Sequence, residues 1–175
     1  LGIAVDEGAK HNPAKIAMMA ERAGNGFQLN GKKQFVVQGG SADMLIVAAR
    51  TSGTAGDTDG LTLFAVPTDA AGLTRDSVSL ADSSKAAHVS FDNVEVDAGA
   101  VIGDVDGGWK TLSKMLAAGR VGAAAESVGV ASGAFGMTTD YLKQRKQFDR
   151  LIGEFQALQH RAAHLRVFHR QLFQP

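Results

Sequence analysis

One change of pattern limits what this chain can fold into: near Gly103, short β-rich runs give way to long helical periodicity. Before that point, apolar stretches of strand length alternate with turn signals. Met44 to Ala49 is one such stretch, and Leu61 to Val66 is another, stopped by Pro67. Between them, Thr51 to Gly60 has the Gly/Thr/Asp composition of a loop. Phe27-Gln28-Leu29 and Gln34 to Val37 flank Asn30-Gly31, whose tolerance of positive φ predicts a hairpin turn there. Val89, Phe91 and Val94, then Val96 and Val101, predict further strands around a turn at Asp92-Asn93. Asn12-Pro13 ahead of Ala14 to Arg22 has the local form of a capped helix start with proline at its first position. The neighbouring strands favour a strand from about Ile16 to Arg22 instead, and that is the expectation adopted.

After Gly107-Gly108, apolar residues recur at Trp109, Leu112, Leu116, Val121, Ala125, Val128, Phe135 and Leu142. This stripe predicts a helix to about Phe148, about 60 Å long at ~1.5 Å per residue. It carries Gly119, Gly122, Gly129, Gly133 and Gly136, each costing about 1 kcal/mol relative to Ala in a helix interior. Close approach of a neighbouring helix or a ligand is the compensation expected. A second helix is predicted from about Phe155 to Phe173, with Phe155, Leu158, Ala162, Leu165 and Leu172 on one face. Two helices with such faces need partners, so oligomerisation or additional chain is implied. The expected fold class is α+β: a β-domain over residues 1–105, then helices of a bundle over residues 106–175.

Composition narrows the function. Eighteen Lys and Arg balance eighteen Asp and Glu, so no global field draws the chain to nucleic acid or a membrane surface. Locally, Lys143, Arg145, Lys146, Arg150, Arg161, Arg166 and Arg170 cluster in the last third, either as a solvated face or as a seat for a phosphate-rich cofactor. There is no cysteine, which excludes disulfides and thiolate metal sites. The apolar runs are too short to span a bilayer, and no signal peptide or initiator Met is present. A cytoplasmic chain that begins inside a longer gene product is expected. Asp104-Val105-Asp106-Gly107 and Asp57-Thr58-Asp59-Gly60 lack the closing Glu of a calcium loop. His160 and His164 lie four apart, but Arg161 stands where a zinc protease has Glu. No metal site is expected, and no Rossmann or P-loop glycine pattern is found.

Longer strings carry a family resemblance. Gly26-Phe27-Gln28-Leu29-Asn30-Gly31-Lys32-Lys33, then Gly39 to Arg50, resemble the middle domain of acyl-CoA dehydrogenases. So does Phe91-Asp92-Asn93-Val94-Glu95-Val96 followed by Val101-Ile102-Gly103. The most specific string is RKQFDRLIGEFQALQHRAAHL from Arg145, similar to the family segment that reaches the FAD of a neighbouring subunit. The resemblance runs collinearly along the chain. It implies an antiparallel β-domain of the family's middle-domain type followed by long helices of a four-helix-bundle domain. It also implies an FAD-dependent oxidoreductase of fatty acid metabolism that converts an acyl-CoA thioester to the 2,3-enoyl-CoA. The implied partners are the acyl-CoA substrate, further copies in a homotetramer or heterotetramer with FAD shared across a dimer interface, and electron-transfer flavoprotein.

Residue by residue, the resemblance places Arg145 against the FAD pyrophosphate, where a guanidinium suits paired phosphate oxygens. Phe148 and Ile152 fall near the adenosine end, and Gln156 on a hydrogen bond to the same cofactor. Core packing at helix ends is the alternative for Phe148, Ile152 and Phe155. Phe35 stands where the family often has Trp against the flavin ring, Val37 where many members have a hydroxyl residue, and Val5 and Asp6 along the flavin edge. Arg120 matches an Arg near the acyl-CoA site, and Tyr141 lies near the fatty-acyl pocket of some relatives.

Several positions depart from the family pattern. Val37 cannot donate the hydroxyl hydrogen bond, Gln38 replaces Asn, and Asp149 replaces the Gly after Phe148. Asp6 replaces a Thr, and a negative charge there disfavours a reduced, anionic flavin. The family reaction needs a carboxylate to take the proton beside the thioester carbonyl and hydrogen bonds to the thioester oxygen, while the flavin accepts hydride. One family position for that base corresponds to Gly119, which can abstract nothing; the other lies past Pro175. Glu126 is about two turns away and is not nominated, so no catalytic residue is assigned. An ordinary acyl-CoA dehydrogenase and a non-catalytic or half-site partner subunit of a heteromeric one both fit. Composition alone also permits a β-plus-helix interaction module without flavin.

Overall fold

This computed structural model describes residues 1–172 of the chain. Two compact units divide it, one over Leu1–Met115 and the other from Leu116 onward.

The first unit is an eight-stranded sheet. Its strands are β1 (Gly2–Ala4), β2 (Met19–Ala23), β3 (Gly26–Val37), β4 (Met44–Arg50), β5 (Leu61–Pro67), β6 (Leu73–Ser79), β7 (Lys85–Asp97) and β8 (Val101–Ile102). They lie in the order β6-β7-β3-β2-β4-β5-β8, and β1 pairs with β4. Most neighbours are antiparallel; β1 runs parallel to β4, as does β2 where Met19 meets Arg50. Strands β4 and β5 are nearly continuous apolar runs because they are buried along almost their whole length. Phe64 of β5 packs edge-on to Phe27 of β3, ring centroids 5.2 Å apart. Leu29, Leu45, Leu63, Val66, Val89 and Val94 complete the centre of the core.

Three local expectations are corrected. Asn30-Gly31 does not turn the chain; it lies inside β3, where the register against β7 shifts between Leu29 and Gly31. The Asn30 side-chain oxygen accepts the Asn93 N–H at 2.8 Å, so the expected turn at Asp92-Asn93 is likewise an irregularity within β7. A β-carbon on Gly31 would stand 2.8 Å from Met18 Cγ, which explains the glycine without a hairpin. The hairpin falls one step earlier, at Gly24-Asn25, with Gly24 at φ +55°. At residues 12–15 the capping signal produces a single turn, in which the Lys15 N–H bonds the Asn12 carbonyl, and β2 begins only at Met19.

The 51–60 loop is organised by a buried cation. Arg50, 1% exposed, donates from Nε to Ile16 O, from Nη1 to Ser52 O and Asp59 O, and from Nη2 to Asp57 O, all at 2.9–3.1 Å. Five donors in a rigid planar fork reach carbonyls on several sides at once, whereas a Lys offers three donors from a single nitrogen. One aspartate of each Asp-rich turn is hydrogen-bonded through its carboxylate. Asp57 accepts from Thr54, and Asp106 accepts from the Thr51 and Ser52 hydroxyls, which hold its carboxyl below the usual range.

Helix α1 covers Gly108–Gln144, four residues shorter at its C-terminal end than the stripe suggested. The chain reverses there through a hairpin of β9 (Lys146–Gln147) and β10 (Arg150–Leu151). A 3-10 turn at Ile152–Glu154 leads into α2 (Gln156–Leu172). Phe173 and the side chain of Leu172, both part of the expected second stripe, lie outside the described residues. The close approach expected at the helix glycines is not made among the described residues: nothing lies within 4 Å of a β-carbon built on any of the five. No helix among the described residues is long and apolar enough to cross a membrane.

Candidate functional site

The sequence-derived residues fall into two constellations, one in each unit. Val5, Asp6, Phe35 and Val37 come together in the first. The segment after β1 runs beside the end of β3, where the Gln34 N–H donates to the Asp6 carbonyl at 2.7 Å. Here the β3–β7 register shifts between Lys33 and Val36, leaving Gln34 and Phe35 opposite His88 alone. Such a bulge re-aims side chains. Phe35 sits in the left-handed region at φ +51°, a conformation that costs a non-glycine residue roughly 1–2 kcal/mol. Its N–H, freed from the ladder, points to His88 Nδ1 at 3.4 Å. Phe35 and Val37 are each 54% exposed, whereas Val36 between them is buried. An aromatic and a branched aliphatic residue therefore stand on the outer face of the strand, with Ile3 also exposed nearby on β1.

A buried ion pair fixes the segment that borders this face. Lys33 Nζ, with no exposure, donates to Val5 O at 3.0 Å and to Glu7 Oε1 at 2.8 Å. The two Glu7 oxygens also accept the Ala17 and Met18 N–H groups. Burial pushes the Lys33 ammonium below its usual range, with the Glu7 charge pulling it back up. Glu7, Lys33 and His88 were not singled out from sequence. Nothing in the local pattern reveals their pairing, because Lys33 reads as one of two adjacent surface lysines. Asp6 places its carboxylate on the following loop: Oδ2 lies 2.7 Å from His11 Nδ1, and Oδ1 accepts the Asn12 N–H at 3.0 Å.

The second constellation is the stretch from the end of α1 into α2. The Arg145 N–H bonds the Tyr141 carbonyl, and the Arg145 carbonyl accepts the Ile152 N–H, closing the hairpin onto the helix end. The two-residue turn consists of Phe148 and Asp149, at φ +56° and +60°. Both are left-handed, as a primed hairpin turn requires, and the second is the position that favours Gly. Phe148 is 87% exposed, its ring edge-on to Phe155 with centroids 6.2 Å apart. The Arg150 guanidinium lies 4.1 Å from the Phe155 ring centroid. Gln156 starts α2, and Ile152 is half-buried. Arg145, Phe148, Ile152 and Gln156 are thus gathered on one short motif. Arg120 is not brought to it, since it stands 21 residues before Tyr141 on α1, about 32 Å along the axis.

A mainly antiparallel β-sheet unit with an outward aromatic on a bulge, continued in sequence by a long helix and a short hairpin, is an α+β architecture. Two family descriptions match in tandem: acyl-CoA dehydrogenase, middle domain, over residues 4–94, and acyl-CoA dehydrogenase, C-terminal domain, over residues 106–172. The chain belongs to the acyl-CoA dehydrogenase family. It is 34% identical over 164 residues to a mitochondrial short/branched chain specific acyl-CoA dehydrogenase of Bos taurus, covering 91% of this chain and 38% of that protein. An acyl-CoA dehydrogenase structure from Geobacillus kaustophilus superposes with a TM-score of 0.88 at 29% identity, covering 97% of this chain and 46% of the other. A glutaryl-CoA dehydrogenase from Mycobacterium smegmatis, in complex with FADH2, superposes at 0.86 and 28% identity, covering 98% and 44%. The chain spans about two fifths of the length of the curated relatives it matches.

Proposed function

We propose that residues 1–105 are the middle β-domain, and residues 106–175 the opening helices of the C-terminal domain, of an FAD-dependent acyl-CoA dehydrogenase that oxidises an acyl-CoA thioester to the 2,3-enoyl-CoA. The observation that carries this reading is the Phe35 bulge, where a strained backbone holds an aromatic ring outward beside Val37 and the Val5-Asp6 segment. Backbone strain of this kind clusters at active sites and ligand clamps. The residues suit FAD. A planar heterocycle is matched by an exposed aromatic and a branched aliphatic side chain. A pyrophosphate is matched by the Arg145 guanidinium, which has no carboxylate within ion-pair distance among the described residues.

FAD supplies the hydride acceptor. Val5, Asp6, Phe35 and Val37 would border its ring. Arg145, Phe148, Ile152 and Gln156 would meet the phosphates and adenosine of a FAD held mainly by a second copy. Arg120 and Tyr141 would line the acyl-CoA path. No proton-abstracting carboxylate is assigned within this chain, and Gly119 carries none. Assembly into a tetramer, a cytoplasmic location and electron-transfer flavoprotein as acceptor belong to the same proposal. The test is the visible spectrum of the full-length protein before and after anaerobic addition of acyl-CoA thioesters, with Arg145→Ala alongside. Flavin bands that bleach with one thioester class, and lower FAD occupancy in Arg145→Ala, are expected. A colourless wild-type protein overturns the proposal, and unchanged occupancy in Arg145→Ala removes Arg145 from the site.

A further inference from the structure

We propose that the contact of His11 with the Asp6 carboxylate, beside the Asn12 N–H, sets how readily the adjacent flavin is reduced. This rests on the flavin site proposed above. A lone carboxylate beside a ring that gains negative charge on reduction opposes that reduction. The carboxylate of Asp6 is not alone. His11 Nδ1 lies 2.7 Å from Oδ2, and the Asn12 N–H donates to Oδ1 at 3.0 Å. The main chain of the same residue is tied to β3, since the Asp6 carbonyl accepts the Gln34 N–H one residue before Phe35. Backbone and side chain are therefore held on two sides: the backbone fixes the position of Asp6 next to the outward face, and the loop engages its carboxylate.

Two neighbouring charges are committed to each other. Glu7, the neighbouring acid, is committed to Lys33 and to the Ala17 and Met18 amides. Lys33 acts on Asp6 only through its field, because its nitrogen is bonded to Glu7 and the Val5 carbonyl. Asp6 is 26% exposed at the side chain and His11 49%, so water screens the pair only in part. The hydrogen bond of His11 to Asp6 makes it a positioning residue that acts through the carboxylate.

The experiment is a redox titration of the flavin in the full-length holoprotein, as wild type, His11→Gln, His11→Lys, Asp6→Asn and the His11→Gln/Asp6→Asn double variant. Removing the imidazole should lower the midpoint potential, and removing the carboxylate should raise it. The double variant should match Asp6→Asn alone, because His11 has nothing to offset once the carboxylate is gone. His11→Lys, with a fixed cation, should return the potential toward the wild-type value or above it. Thermal melts run beside each titration. A His11→Gln protein that melts earlier but keeps the wild-type potential makes His11 a loop anchor and overturns the inference. So does an equal potential drop in the presence and absence of Asp6. If His11→Gln does not fold, His11→Lys and Asp6→Asn decide: a raised potential in Asp6→Asn with a potential at or above wild type in His11→Lys supports the pair, and an unshifted Asp6→Asn or a lowered His11→Lys refutes it. A wild-type protein without flavin overturns the flavin site itself, whereas flavin-loaded protein with unresponsive variants overturns only this step.

Discussion

Deleting the Lys33 ammonium is the most direct challenge to how the β-unit holds the segment bordering Phe35. Lys33→Met roughly keeps the volume of the stem and removes two bonds, to Glu7 Oε1 at 2.8 Å and to Val5 O at 3.0 Å. Breaking a buried pair from one side costs roughly 3–5 kcal/mol, mostly from the charge left behind. Glu7 retains 18% side-chain exposure and two amide donors, so the cost belongs at the low end, about 3 kcal/mol. Adding Glu7→Gln removes the stranded charge and should recover about 1–2 kcal/mol. Trp109, the single tryptophan, lies in the same compact unit, so its fluorescence during urea denaturation of this chain reports the relevant unfolding. The pH dependence has a definite sign. Burial lowers the ammonium from its ordinary 10.5, so the unfolded chain binds this proton more tightly than the folded one. The penalty is therefore present below the folded value, and stability at this site rises as pH climbs from there to 10.5. That rise should be absent in Lys33→Met. A cost below about 1 kcal/mol, or a double variant no more stable than the single one, would refute the buried-pair account.

Two further outcomes follow from strained or crowded positions. Asp149→Gly should stabilise the α1–α2 connection. Relief of the φ +60° strain, about 1 kcal/mol, is partly offset by the freedom glycine gains in the unfolded chain, leaving about 0.5 kcal/mol and a melting-temperature rise of roughly 1–2 °C; no rise would mean that Asp149 makes a compensating contact. Arg50→Met strips the donors from four carbonyls and should cost about 3–5 kcal/mol, with protease cutting concentrated in the 51–60 loop. Arg50→Lys should rescue little of that loss, as measured by the same urea midpoint and digestion pattern.

Strong, uninterrupted periodicity was legible from the sequence alone. The apolar runs at Met44–Ala49 and Leu61–Val66 became β4 and β5 because strands buried on both faces carry their burial in composition. The stripe from Trp109 to Leu142 likewise became α1. Strand β6 escaped notice because it sits at the sheet edge with its polar residues exposed, so burial leaves no period in Leu73–Ser79. Asn30-Gly31 misled for a related reason. Positive-φ tolerance serves a bulge as well as a turn, and the choice was made by Asn93 and Met18, which are distant in sequence.

The residues proposed to face the cofactor follow the same division. The string from Arg145 to Gln156 is contiguous, so its family pattern could be recognised before folding, and the structure adds the Phe148-Asp149 turn and the contacts of Phe155 with Phe148 and Arg150. The Phe35 face was legible as residue identities but not as a geometry. Its outward aim depends on His88, 53 residues away, and its border on a Lys33–Glu7 pair 26 residues apart. Sequence by itself determined the strands and helices with long, unbroken apolar patterns and the family pattern they spell, because those properties reside in local periodicity and short strings. Tertiary structure alone decided which charges are buried, which backbone groups lose their ladder partners and which carboxylate meets an imidazole, because each of these depends on residues that only the closed sheet or the folded loop brings within hydrogen-bond distance.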